Sequence, residues 1–527
     1  DWSSDVCSSD LLKWLYRASE LNSAEASCKA GLIMMKHDKY YDAFNLFKKS
    51  AKGRYVDGMY WYARFLDEGK GTVPDQETAA EYYTYAVDGG NIPALYYLGR
   101  LYELGLGVAQ DFNAAAEYYH RSAENGDSNG MLGIGRLYYE GKGINQDYEK
   151  AYEYFTRAAE SNNAEAHYYL GLLYESGNGV EKSQEESFKH FKFAAEHDVV
   201  KAYVKYAHKL LFGEGTEKDI ELGREILIKA VKLKEKDAIF EYAELLYFEE
   251  DKENALKYYK MAADLGHIKA MNCAGLMLSE DKSTFKESTK YFEKAADYDD
   301  IASYNYGLAL ANGIGAFRDQ KLAISYLRRA ANAGIVEALY NCGVLLLTIK
   351  GEERNEGEAK IMLESAAAHG HVLAMYNLGV VLINSTPQDM ENGLKYLKEA
   401  ADKDLTEACY LYAYYKLSIS HSLEDDEEAI TYAKKAADKA YVEAITLCGV
   451  MALNGRGVSK VEKTAVQYFR SAAEKGDANG LYNYGICLIN GVGVQKDLEA
   501  AGEFLKKAMD KGHPLAEMAL KKNGLLK

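Results

Sequence analysis

The sequence predicts an all-α protein, built as a solenoid of tandem helix pairs. Three observations carry this: a small residue that returns at a nearly fixed interval, apolar stripes of helical periodicity around it, and very little proline. Only 4 Pro occur in 527 residues, which leaves long stretches free to be helical. A chain of this length would ordinarily suggest several domains, but an internal repeat overrides that expectation.

The small residue stands at Ala26, Gly58, Ala94, Gly130, Ala166 and onward to Ala516, fifteen positions that are all Ala or Gly. Most intervals are 36 residues, three are 32 and one is 34. Around this anchor, Ala166, Tyr169, Leu170, Leu173 and Tyr174 fall at i, i+3, i+4, i+7 and i+8. That is one stripe of an amphipathic helix, termed helix A. Five residues past the anchor the chain is again Gly or Ala, as at Gly31, Gly99, Gly171 and Gly343. A helical Gly costs about 1 kcal/mol relative to Ala, so its return predicts close approach of a neighbouring helix backbone.

Helix B follows in each repeat. Ala151, Tyr154, Phe155, Ala158 and Ala159 repeat the stripe, and the aromatic pair recurs at Tyr118 and Tyr119, Tyr258 and Tyr259, and Tyr468 and Phe469. Rings set against small residues as knobs in holes account for much of the excess of 45 Tyr, since each phenol can bury its ring and keep its hydroxyl bonded or wet. One pair cannot bury both faces, so stacking completes the core and a small rotation per repeat creates a concave face.

In order along the chain, residues 1–10 (DWSSDVCSSD) fit nothing downstream and resemble a translated sequencing-library adapter, a non-native tail that takes Cys7 with it. Residues 11–22, with Trp14, Leu15 and Ala18, read as the remnant helix of a truncated upstream repeat. Regular repeats are expected over 23–235, short irregular repeats lacking the glycine loop over 236–300, and further repeats over 301–513. The short repeats predict altered curvature without a true domain boundary. Longer inter-helix loops are expected at Lys350–Glu358, Asn384–Glu391 and Ser418–Glu427. Residues 514–527, rich in Lys, read as a capping helix.

The consensus, A-x-x-x-L-G-x-x-Y-x-x-G-x-G-V followed by D-x-x-x-A-x-x-Y-[YF]-x-x-A-A-x-x-G, resembles the Sel-one-like repeat family, a branch of the tetratricopeptide-like α-solenoids. Ala94 to Gly126 and Gly480 to Gly512 show it best. The resemblance implies a right-handed superhelix of about fourteen two-helix repeats and a non-catalytic scaffold or adaptor that binds partner proteins or peptides on its concave face. It also implies two alternatives. One is an adaptor of a ubiquitin ligase complex in ER-associated degradation. The other is the regulatory repeat region of a larger protein with a lost N-terminal domain such as a kinase.

Composition narrows the partners. Basic residues number 63 against 80 acidic, a net of -17, with no local Lys/Arg cluster, which argues against nucleic acid. Apolar runs are too short for a membrane span. The eight G-x-G elements, from Gly69/Gly71 to Gly491/Gly493, follow helices and lack the third glycine of a dinucleotide loop, so they read as turns. Cys28, Cys273, Cys342, Cys409, Cys448 and Cys487 lie on A helices at scattered offsets, which predicts reduced buried thiols and a cytoplasmic setting, with the ER lumen as the alternative. His267, His371 and His513 share a turn position and read as ordinary turn residues. No metal-ligand spacing, catalytic constellation or cofactor motif occurs. The candidate binding residues are an asparagine row, Asn305, Asn341, Asn377 and Asn483, each three residues past its anchor. A side-chain amide both donates and accepts, so such a row can clamp an extended peptide backbone.

Overall fold

The computed structural model describes residues 2–351, 353–387, 389–419 and 422–526, with side chains from residue 11 onward. Every regular element among them is helical: thirty α-helices and one 3₁₀ turn at Lys282–Thr284. Helices α2 (Ala24–Lys36) to α29 (Leu498–Asp510) form fourteen A–B pairs, even-numbered helices being A and odd-numbered B. They are preceded by α1 (Trp2–Glu20) and followed by a short A helix, α30 (Ala516–Lys522). Helix α1 runs continuously through residues 2–20; residue 1 and the side chains of the adapter-like segment, Cys7 included, lie outside the described residues.

Local chemistry sets the helix ends. Most B helices begin at an N-cap carboxylate or hydroxyl, such as Asp75, Asp147 and Asp219, whose side chain accepts a backbone N–H of the first turn. Each such cap contributes about 1 kcal/mol. The G-x-G loops are turns. In α12 (Val200–Phe212), Gly213 closes the helix at φ +73° and Gly215 holds φ +75°. A Cβ on Gly215 would lie 2.0 Å from the carbonyl oxygen of Gln184, the first residue of α11 (Gln184–Glu196). The second glycine therefore lets the loop lie directly on the preceding repeat.

The two small positions do different jobs. At the anchor, a Cβ on Gly130 would meet Ser122 Cβ at 2.4 Å and the Ala123 backbone nitrogen at 2.8 Å. This is the predicted backbone approach, made to helix B of the preceding repeat. Five residues on, a Cβ on Gly135 would instead meet the ring of Phe155 at 2.7 Å. There the nearest neighbour is a side chain of the same repeat's helix B, a ring edge at Gly135 and Leu363 at Gly343, with the helix B backbone close behind it, the Ala359 carbonyl oxygen at 3.3 Å from Gly343. The anchor alanines Ala166, Ala202, Ala338 and Ala444 are 0% exposed, as are the knobs Tyr83, Phe155 and Phe191. Burying each such ring stabilises by about 1.5–3 kcal/mol.

The chain divides into two compact units, Asp1–His267 and Ile268–Lys527. The division falls inside the short repeats, where the sequence predicted no domain boundary. In this stretch α14 (Lys236–Phe248) passes to α15 (Lys252–Asp264) through Glu249–Asp251, and α16 (Ile268–Leu278) ends at the 3₁₀ turn. Neither junction carries the glycine loop that docks a repeat on its predecessor. The expected long loops are also shorter than predicted: α21 starts at Glu356, α23 at Asp389, and α25 at Leu423 after α24 ends at Ile419. Ser422 caps α25, and Glu424, Asp425 and Asp426 occupy its first turn, where a helix N-terminus stabilises negative charge.

Candidate partner-binding surface

Within each unit, successive A helices touch, as α6 with α8 and α26 with α28. Their outer residues form a continuous face whose rows follow the repeat interval.

In the first unit this face carries arginines. Arg64, Arg100 and Arg136 stand on α4, α6 and α8, 36 residues apart. Arg136 donates to Glu103 at 2.6 Å, Arg100 donates to Asp67, and Arg64 stacks over Tyr97 at 4.0 Å. Tyr119 donates its hydroxyl to Glu103 at 2.6 Å. The carboxylates of Asp67 and Glu103 are only 3% and 8% exposed, so each is held by an arginine of the next repeat and a tyrosine of its own. Burial and the neighbouring carboxylates push the phenols of Tyr83 and Tyr119 far above the ordinary tyrosine range, so both stay protonated donors. Further on, Lys205 and Lys209 both reach Glu175. A polar cleft of about 840 Å³ on this face is lined by Tyr96, Arg136, Glu165, Tyr168 and Lys201. Arg136 in its wall is paired with Glu103, while Glu165 and Lys201 are exposed. The sequence reading missed this ladder, although the 36-residue spacing of both arginines and acids would have exposed it.

In the second unit the face is apolar and aromatic. Leu308, Val344, Val380, Tyr414, Val450 and Ile486 form one row, partly exposed. The predicted asparagines run beside it on α18, α20, α22 and α28, all half-buried. The first three form an inter-repeat ladder. Asn305 donates to Asn272 at 3.1 Å, Asn341 to Tyr304 at 3.2 Å and Asn377 to Tyr340 at 3.3 Å, each acceptor lying on the preceding A helix. Asn341 also donates to its own helix at Glu337. Asn483 stands apart from these three, in a cleft of about 440 Å³ with Tyr410, Tyr414, Glu443 and Tyr482.

The shared histidine position is a stacking point. His267 lies on Phe240, His371 on Tyr340 and His513 on Tyr482, with ring centroids 4.1–4.4 Å apart. His371 Nδ1 also accepts the N–H of Ala374 as an N-cap. Of the six predicted thiols, Cys28, Cys342, Cys409, Cys448 and Cys487 are free and buried, and Cys273 is half-buried. Burial pushes Cys28, Cys342 and Cys448 up to about 12, far from a reactive thiolate. No helix among the described residues is long and apolar enough to cross a membrane.

Stacked helix hairpins that, within each unit, present a face of repeating side chains define a helical-repeat scaffold, the class of fold used for protein–protein interaction. The chain belongs to the Sel1 repeat family: the Sel1 repeat profile matches twelve stretches, beginning at 56–91 and ending at 478–513. The structure adds the pairs α2–α3 and α16–α17 to these. Solved structures of the same kind include the protective antigen c5321 of uropathogenic Escherichia coli, at 20% identity over 90% of this chain and 89% of that one, TM-score 0.41. A Sel1 repeat protein of Oxalobacter formigenes is 24% identical over 62% of this chain and 88% of that one, TM-score 0.35. No curated protein matches the sequence.

Proposed function

We propose that the chain is a non-catalytic adaptor that holds a segment of a partner protein along the A-helix face of its second unit. The observation that supports this reading best is the cleft beside Asn483. Its walls come almost wholly from α24, α26 and α28, and among the described residues its carboxylate, Glu443, has no ion-pair or hydrogen-bond partner. The first unit's face, by contrast, carries the cross-repeat pairs of Arg100 with Asp67 and of Arg136 with Glu103. In this reading Asn305, Asn341, Asn377 and Asn483 serve the partner through their amide oxygens, while the N–H groups of the first three hold adjacent repeats together.

The test is site-specific photo-cross-linking in cells that make the protein. Benzoylphenylalanine at Val344 or Tyr414, on the A face, is expected to give a discrete partner adduct. The same probe at Ile361, an exposed B-helix position, is expected to give none. Equal adducts from both faces, or adducts from the B face alone, would overturn the proposal.

A further inference from the structure

Resting on that proposed function, we infer that the cleft across α24, α26 and α28 seats an arginine side chain of an extended, basic partner segment.

The cavity holds about 440 Å³ and is walled by Tyr410, Tyr414 and Tyr482, with Leu447 and Val450 at its floor and Glu443 at its rim. Aromatic walls around a carboxylate suit a flat cation: the guanidinium stacks on the rings while the acid takes its N–H groups. Glu443 is exposed, and among the described residues it has neither an ion-pair nor a hydrogen-bond partner. The cleft's own cation is already spent. Arg456 is bound by both oxygens of Asp426. His513 is stacked on Tyr482 and held by burial below the usual histidine range, so it adds no positive charge at neutral pH. Asp477 is also occupied: it accepts the Thr446 hydroxyl at 2.7 Å and caps Gly480.

The arrangement recurs along this face. Glu337 stands near the phenol of Tyr304, Glu407 near Tyr376 and Glu443 near Tyr410, and each acid raises its phenol further above the ordinary range. All three glutamates are exposed, and each lies one residue before its anchor. Three repeats of this face, two of them adjacent, therefore set an acid beside a ring, in a chain of net charge -17. Packed helices stand about 8–10 Å apart, and an extended segment of polyproline II form advances about 3.1 Å per residue and returns every third side chain to the same side. Arginines three residues apart thus match Glu407 and Glu443, which belong to adjacent repeats.

The experiment uses the full chain and a fluorescein-labelled octapeptide carrying two arginines three residues apart between leucines. Its counterpart carries neutral citrulline at the same two places. By fluorescence polarisation the arginine peptide is expected to bind at least about tenfold tighter. Glu443→Gln should reduce that preference severalfold while leaving the citrulline affinity unchanged, and Tyr414→Ala should weaken both peptides. Equal binding of the two peptides, with Tyr414→Ala still weakening both, would overturn the arginine assignment and leave the groove reading standing. Failure of either peptide to bind would overturn the assignment too, and the cross-linking result above then decides whether the groove reading falls with it. Undiminished arginine preference in Glu443→Gln would place the cation elsewhere and refute the site.

Discussion

Replacing Gly343 by leucine tests whether the small position five residues past the anchor is a hole cut for its neighbour. A Cβ there would stand 2.9 Å from Leu363 Cγ and 3.3 Å from the Ala359 carbonyl oxygen. Leu363 is itself 0% exposed, so it has little room to yield. Overpacking a core costs about 1–3 kcal/mol, and three further carbons beyond the Cβ place this change at the upper end. Leucine's better helix propensity offsets up to about 1 kcal/mol, leaving a net loss of about 2 kcal/mol. A repeat array need not unfold in one step, so hydrogen exchange resolved by helix is the appropriate assay. Amides of α20 (Val336–Thr348) and α21 (Glu356–Ala368) should exchange about thirtyfold faster, with repeats of the first unit unchanged. Gly343→Ala should cost far less, because a lone methyl meets Leu363 while gaining propensity. Unchanged protection in the leucine variant would refute the packing argument.

Other expectations follow from particular contacts. Arg136→Met should destabilise the first unit by about 2–3 kcal/mol in urea unfolding, because Glu103 is left buried with only Tyr119 to hold it. Adding Glu103→Leu should recover most of that loss. The Nδ1 atoms of His167 and His190 lie 2.9 Å apart, so one ring must donate and the other accept. Burial lowers both, His190 to about 4. The folded protein therefore takes up these protons later than the unfolded chain. The pair's stability is fully present above about pH 6.5 and is lost as pH falls toward about 4. His190→Phe should flatten the pH dependence of the urea midpoint in that window, and an unaltered slope would contradict the pairing. Asn341→Ala with Asn377→Ala removes two cross-repeat hydrogen bonds of about 1 kcal/mol each, so a modest fall in melting temperature should accompany any loss of cross-linked partner.

The fold was legible because its signal repeats. The anchor at Ala166 and the ring at Phe155 recur often enough that neither can be chance, and both proved to be buried core. The division near His267 was not legible as a boundary, because a missing glycine loop reads in sequence as a shortened repeat. At the surface, the asparagine row was visible from its spacing, whereas its bonds to Tyr304 and Tyr340 were not. Those bonds depend on which residue of one A helix faces which residue of the next. The arginine ladder from Arg64 to Arg136 was overlooked for another reason: attention to apolar periodicity passes over a charged residue that repeats at the same interval.

The fold depends on small residues packed at helix contacts inside each unit. Thiol labelling measures this directly. Ala202→Cys, Ala338→Cys and Ala444→Cys are to be compared with Glu337→Cys and Glu443→Cys, using maleimide and site-resolved mass spectrometry. The anchor cysteines should resist labelling until the chain is unfolded, while the glutamate-site cysteines, each one residue away on the exposed face, should react at the rate of a free thiol. Equal labelling of both sets in the native protein would contradict the account.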